Sequence, residues 1–243
     1  MKLKSRAALI PMENQKISVI MPAFNEQETI IEILEKVALE KQSGFIDEVI
    51  VINDGSTDDT FTLLSGREDL YDQFISSKTN HGKGHAIKLG LRAAKYRYVL
   101  FQDADMEYDP SDYADLVQAV REHNADIVIG SRLSGGKLVR VNYFWNRIGN
   151  RAITFLFNLL NNKTFTDIYS CYLLLDTSLL NIESLKANSW NQQAEILGMA
   201  IKNSKSAFEV PVKYYGRTYE EGKKIRAKDI FPVFLTIFRQ RFF

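Results

Sequence analysis

The feature that most constrains this chain is an alternation in its first half. Unbroken apolar runs at 16–22 ("KISVIMP"), 46–53 ("IDEVIVIN"), 97–103 ("RYVLFQD") and 125–132 ("ADIVIGSR") are separated by stretches with apolar residues at helical spacing. A shorter strand candidate, "QFISS", lies at 73–77. The helical stretches are 27–41, 56–66, 83–96 and 111–123, the second opening on Ser and Thr caps and closing at Gly66. Strands apolar at every position, not at every second one, are buried on both faces. That implies an α/β fold: a mostly parallel central sheet with helices on both faces. In such sheets ligands bind beyond the carboxyl ends of the strands, at the topological switch point. The polar residues gather there. Asn25 and Glu26 follow the first run, Asn53, Asp54 and Asp58 the second, Asp103, Asp105 and Glu107 the third, and Arg132 the last.

The second half is less regular. Residues 141–162 are aromatic and apolar at roughly helical spacing, with Arg147 and Arg151 interleaved. Strand candidates follow at 169–176 and 207–216, with a helix candidate at 192–203 between them. The segment 229–243 reads as a short apolar helix with a basic end, set apart from a single catalytic domain over 1–228. From residue 201 onward there are ten basic residues against four acidic ones, although the whole chain carries only +1. Near-neutral charge argues against nucleic acid as partner. The local excess suits phosphates or an anionic membrane surface. The one cysteine, Cys171, rules out an intrachain disulfide and fits a cytoplasmic setting. No stretch has the roughly 20 apolar residues that span a bilayer.

Nucleotide fingerprints fail. "GKGHAIKLG" lacks the third glycine of a dinucleotide fold, and "GRTYEEGKK" is one residue too long for a phosphate-binding P-loop. What remains is "FQDADMEYDP", with Asp103, Asp105, Glu107 and Asp109 at alternating positions. On an extended strand the first three share a face and repel, so one protonates unless a cation lies between them. Hard oxygen donors suit Mg2+ or Mn2+. Asp109, next to Pro110, belongs to the turn. Asp58 reads as a helix cap, Lys83 as a further phosphate candidate, and Cys171 as a packing residue.

The ordered motifs "ISVIMPAFNEQETI", "VINDGSTDDT", "NHGKGHAIKLGL", "FQDADMEYDP" and "GSR" resemble the family 2 inverting glycosyltransferases of GT-A fold. "TDIYSCYLLL", "AEI" and "EVPVKYYGRTYEEGKKI" are similar to the branch of dolichyl-phosphate mannose or glucose synthases. The resemblance implies that Pro22, Phe24, Glu26 and Asp54 hold the nucleoside. It also implies that Asp103, Ala104 and Asp105 face the diphosphate, with Asp105 the main metal ligand and Asp103 and Glu107 its companions. Arg132, Arg217 and Lys224 match phosphate-contacting positions, with Arg132, Asp103 and Asp105 as the catalytic set. Cys171 stands where the family usually has glycine, which leaves Asp167 and Ser170 less firmly assigned.

The implied reaction moves a hexose from a GDP- or UDP-linked sugar to a polyprenyl phosphate, on the cytoplasmic face of a membrane that the chain touches peripherally. A phosphate monoester is largely dianionic at neutral pH and needs no general base. Transfer to a hydroxyl does need one, and Glu195 is the candidate for that alternative. A non-catalytic nucleotide-sugar-binding protein is the second alternative.

Overall fold

The computed structural model describes residues 15–141, 143–218, 220–221 and 230–242. The apolar runs become β1 (Ile17–Ala23), β2 (Glu48–Asp54), β4 (Tyr98–Phe101) and β5 (Ile127–Ser131), with β3 (Gln73–Ser77) as the shorter strand. Every residue of β2, β4 and β5 is buried. Each fully buried aliphatic or aromatic side chain of this kind stabilises the fold by about 1.5–3 kcal/mol relative to exposure. The helices between them are α1 (Ile30–Gln42), α2 (Thr60–Ser65), α3 (Lys83–Ala93) and α4 (Tyr113–His123). α4 stops at Asn124, which takes the left-handed conformation (φ 51°) that ends helices.

The second half supplies α5 (Phe144–Asn161), β6 (Leu173–Asp176), α6 (Gln192–Asn203), β7 (Ala207–Pro211) and α7 (Ile230–Phe242). The seven strands form one sheet in the order β3-β2-β1-β4-β6-β5-β7. β6 runs antiparallel between β4 and β5, while the other pairings are parallel. The strand order reverses between β1 and β4. Their carboxyl ends therefore flank the switch-point crevice.

Three strands are shorter than the apolar runs suggest. β4 ends at Phe101 and β7 at Pro211, not at 103 and 216, and β6 begins at Leu173, not at 169. After Phe101 the chain turns because Gln102 is drawn inward. Its side chain accepts from Tyr113 Oη (2.7 Å) and Tyr172 Oη (2.8 Å) and donates to Asp103 O (2.9 Å). Of the segment set apart as 229–243, the described part, α7, joins the same core. α7 packs on α5 and α6, burying Val233 and Ile237.

Candidate functional site

A cavity of about 480 Å³ opens at the carboxyl ends of β1 and β4. Its lining includes Pro22, Phe24, Asp54 and Asn80, the charged group Asp103, Asp105, Glu107 and Arg217, and Trp145, Asn150 and Ile153 from α5 with Val233 from α7.

Asp54 is buried and accepts hydrogen bonds from the backbone N–H groups of His81 (3.0 Å) and Gly82 (2.7 Å). Gly82 and Gly84 bracket Lys83 for a steric reason. A Cβ on Gly82 would lie 2.3 Å from Asn188 O, and one on Gly84 2.5 Å from Ala187 O. Their bareness lets the 187–190 loop close on the start of α3, an approach sealed by Gly84 N donating to Asn188 O (2.9 Å). Trp190 is thereby held near Lys83, whose ammonium lies 5.4 Å from the indole centroid.

The expected face of three carboxylates does not form. Because β4 ends at Phe101, the acids leave the strand alternation, and Asp103 meets one cation while Asp105 and Glu107 share another. Among the described residues, no three His, Cys, Asp or Glu side chains converge on one metal position. Asp103 pairs with Lys83, and Asp105 with Arg217. Arg217 also reaches Glu26 (3.2 Å) and Glu107 (3.7 Å). Glu107 ties down the 214–217 segment. It accepts from Tyr214 Oη (2.9 Å) and Arg217 N (2.6 Å), while its backbone carbonyl accepts from Tyr215 N (2.8 Å). The repulsion read from the sequence is thus answered by two of the chain's own cations.

That answer is incomplete at Asp105. Burial, with Asp103 and Glu107 adding to it, pushes its pKa up to about 7 despite the Arg217 guanidinium. A buried carboxyl short of positive charge, flanked by two further carboxylates, is a donor set that fits a hard divalent cation. Burial opposes the Lys83 charge, but Asp103 outweighs it and holds the ammonium well above its usual range.

Arg132 is half-buried and committed. It holds Asp167 through Nε (2.7 Å) and Nη2 (2.9 Å), and Nη2 also donates to Tyr169 O (2.9 Å). Its guanidinium carbon lies 5.0 Å from the Tyr214 ring centroid. Asp167 is oriented in turn by Glu209, which accepts from its backbone N–H (3.0 Å). Cys171 lines the cavity beside Phe101 O, its thiol pushed well up by burial. Ser170 is fully buried. Asp58 caps α2, accepting from Thr60 N (3.0 Å), and Asp109 serves the turn at Ser111 (3.0 Å).

Glu195, the candidate base for a hydroxyl acceptor, does not line the cavity. Its buried carboxylate accepts from the N–H groups of Lys186 (3.0 Å) and Ala187 (2.8 Å), fastening the loop that carries Trp190. Lys224 lies outside the described residues. The site therefore unites Pro22, Phe24, Glu26, Asp54, Asp103, Ala104, Asp105, Glu107, Arg132 and Arg217 in one cavity. Sequence reasoning missed Trp190, Gln192 and Asn146 there. The only trace of the first was the pair of glycines around Lys83.

The family 2 glycosyl transferase profile matches residues 18–181. The chain belongs to glycosyltransferase family 2. It is 27% identical over 244 residues to UDP-N-acetylglucosamine–dolichyl-phosphate N-acetylglucosaminyltransferase of Methanococcus voltae, covering 92% of this chain and 95% of that one. It is 29% identical over 205 residues to glycosyltransferase AglJ of Haloferax volcanii, covering 83% of this chain and 63% of the relative. In fold it matches glucosyl-3-phosphoglycerate synthase of Mycobacterium tuberculosis, solved with Mn2+, UDP and glucosyl-3-phosphoglycerate. The TM-score is 0.71 at 20% identity, over 98% of this chain and 86% of that one. The molecule is an α/β glycosyltransferase with a seven-stranded, mostly parallel sheet.

Proposed function

We propose that this chain transfers a hexose, with inversion, from a nucleoside-diphosphate sugar to a polyprenyl phosphate at a membrane surface. The observation that carries this reading is the cavity's lining, which brings Asp54, Phe24 and the carboxylates together with Ile153 of α5 and Val233 of α7. Those two helices also turn large apolar side chains outward: Phe144, Trp145, Phe155 and Leu159 on α5, and Phe231, Leu235, Phe238 and Phe242 on α7. Basic residues Arg239 and Arg241 stand in the last turn of α7. Aromatic and apolar side chains with arginines beside them suit a helix lying in the headgroup region. The names of two relatives, a dolichyl-phosphate N-acetylglucosaminyltransferase and a dodecaprenyl-phosphate galacturonate synthase, the latter matched over half of this chain, agree with a lipid phosphate acceptor.

In this reading Phe24 and Asp54 seat the nucleoside. Asp105, with the diphosphate oxygens, would hold Mg2+ or Mn2+, which when bound neutralises the charge of the departing diphosphate, while Asp103 and Glu107 stay beside it on Lys83 and the Arg217 segment. Arg217, the basic side chain already among these carboxylates, is close enough to meet phosphate oxygens. Arg132 braces Asp167 and the Tyr214 ring at the cavity wall. No base is asked of the protein. Glu26, Asp54, Asp103, Asp105 and Glu107 are each bonded to a cation or to backbone amides, and the acceptor dianion is already a nucleophile. Its oxygen attacks the anomeric carbon as the bond to the nucleoside diphosphate breaks, and the residues contribute chiefly positioning and charge.

The test is a transfer assay with labelled UDP- and GDP-sugars, Mn2+, and a short polyprenyl phosphate or the matching free alcohol. Label should pass to the phosphate and not to the alcohol. Transfer to the alcohol would overturn the reading.

A further inference from the structure

Two adjacent glutamines at the start of α6 are both buried, yet they are used differently. Gln193 is locked. Its amide nitrogen donates to the backbone carbonyls of Ile168 (3.2 Å) and Ser170. Gln192 also lines the cavity and is only 4% exposed, but its side-chain oxygen has no hydrogen-bond partner among the described residues. A buried acceptor left unbonded is costly, so such groups in native proteins call for an explanation. Two residues earlier Trp190 lines the same cavity beside Lys83, on a loop fixed by Glu195 and by the bare α3 glycines.

The position is informative. Asp54 binds the N–H of Gly82, and Lys83, the next residue, binds Asp103. Trp190, whose ring lies by Lys83, therefore borders the cavity near the Asp103 carboxylate, and Gln192, two residues on, lines the same cavity. In the proposed reading Asp103 faces the diphosphate, which brings the group linked to that diphosphate towards these two side chains.

We infer that Trp190 and Gln192 form the subsite for the transferred sugar, with Gln192 accepting a hydrogen bond from an uncharged donor group on the ring. This inference rests on the nucleotide-sugar reading and names the group recognised: a hydroxyl or acetamido N–H of a hexose or N-acetylhexosamine at the ring position that faces Gln192. Either satisfies the Gln192 oxygen. A uronic acid whose carboxylate takes that position only accepts there and would meet the oxygen with like polarity. Lys83, the nearby cation, is neutralised by Asp103 and does not restore a preference for an anionic sugar. The Trp190 ring offers an apolar face against which sugar C–H groups pack.

Titration calorimetry with Mn2+ tests this, using UDP, GDP, UDP-glucose, UDP-N-acetylglucosamine, GDP-mannose and UDP-galacturonate. The wild type should bind at least one neutral sugar nucleotide more tightly than the galacturonate. Gln192→Met should weaken the favoured neutral donor roughly tenfold while leaving the bare nucleoside diphosphate unchanged. Should that variant lose its cooperative thermal transition, Trp190→Ala, in the loop outside the helix, carries the same test with the same expected split. Equal losses for donor and bare diphosphate, no loss for either, or tighter binding of the galacturonate by the wild type would each overturn the subsite. A wild type that binds no nucleoside diphosphate at all would instead overturn the nucleotide-sugar reading beneath it.

Discussion

Around β1, β2 and β4 the apolar side chains turn inward and the polar ones are tied to named partners, whereas α5 and α7 keep apolar side chains on the outside. Asp54, Asp103, Asp105 and Glu107 all have bonded neighbours, while Trp145 is 77% exposed and Phe231 69%. One cavity joins the two regions. The contrast teaches that the molecule separates two tasks. The sheet side holds charge in fixed positions. The helical side offers a surface that water does not favour, and apolar patches of this kind mark interaction sites.

The sharpest way to break this comparison is at Asp105. Asp105→Ala should lower transfer by roughly a thousandfold or more, because charge stabilisation of the leaving group is the main catalytic effect. Its circular dichroism should be unchanged. The folded-state pKa of about 7 lies above the ordinary carboxylate value, so the folded chain keeps a proton that the unfolded chain has lost. Stability from this group is therefore lost as pH rises from about 4 through 7. Asp105→Asn should raise the Tm at pH 8 more than at pH 5 while abolishing transfer. A Tm lowered equally at both would show that the carboxylate is structural.

Next in size is the clamp between the start of α3 and the 187–190 loop. Gly84→Ala places a methyl group 2.5 Å from Ala187 O, so something has to shift. Urea unfolding should show a loss of about 1–3 kcal/mol. Unchanged stability would mean that the loop is free to move.

The helical side is tested by Phe231→Ser with Phe238→Ser, both exposed on α7. Flotation with anionic liposomes should show binding reduced roughly tenfold, with calorimetric affinity for the nucleotide unaffected. Undiminished flotation would remove the membrane from the account of this face.

The smallest expected effect lies at the far end of the sheet. Burial works against the Asp176 carboxylate, but bonds from Arg97 and Ser178 outweigh it and hold its pKa below the usual range. Its stabilising contribution is present above about pH 4 and is lost as pH falls through the lowered value. Asp176→Asn should lower the Tm at pH 7 and flatten its decline in acid. An unchanged acid limb would contradict the pairing.

The two regions also differ in how far the sequence reveals them. Strands buried on both faces announce themselves as continuous apolar runs, so β1, β2 and β5, and with them the switch point and its polar residues, are legible. The carboxylate geometry is not. Strand parity puts Asp103, Asp105 and Glu107 on one face, but Gln102, held by Tyr113 and Tyr172 from distant parts of the chain, ends the strand first. Long-range contacts of that kind leave no local period. Trp190 is hidden for the same reason, since its place beside Lys83 comes from a loop approach across about a hundred residues, and Gln192 reaches the same cavity just behind that loop. The antiparallel direction of β6 follows from the return of the chain after α5, which apolar content alone cannot encode. Glu195 sits where a base is plausible by motif order, yet its carboxylate is turned to the 186–187 amides.

The most direct measurement is the linkage of the product. A single-turnover reaction of the preferred sugar nucleotide with a short polyprenyl phosphate, analysed by phosphorus and proton NMR, reports both the bond formed and the anomeric configuration. The account predicts a glycosyl–phosphate ester with the configuration inverted relative to the donor. A sugar joined to a hydroxyl, or one that keeps the donor's configuration, would contradict it.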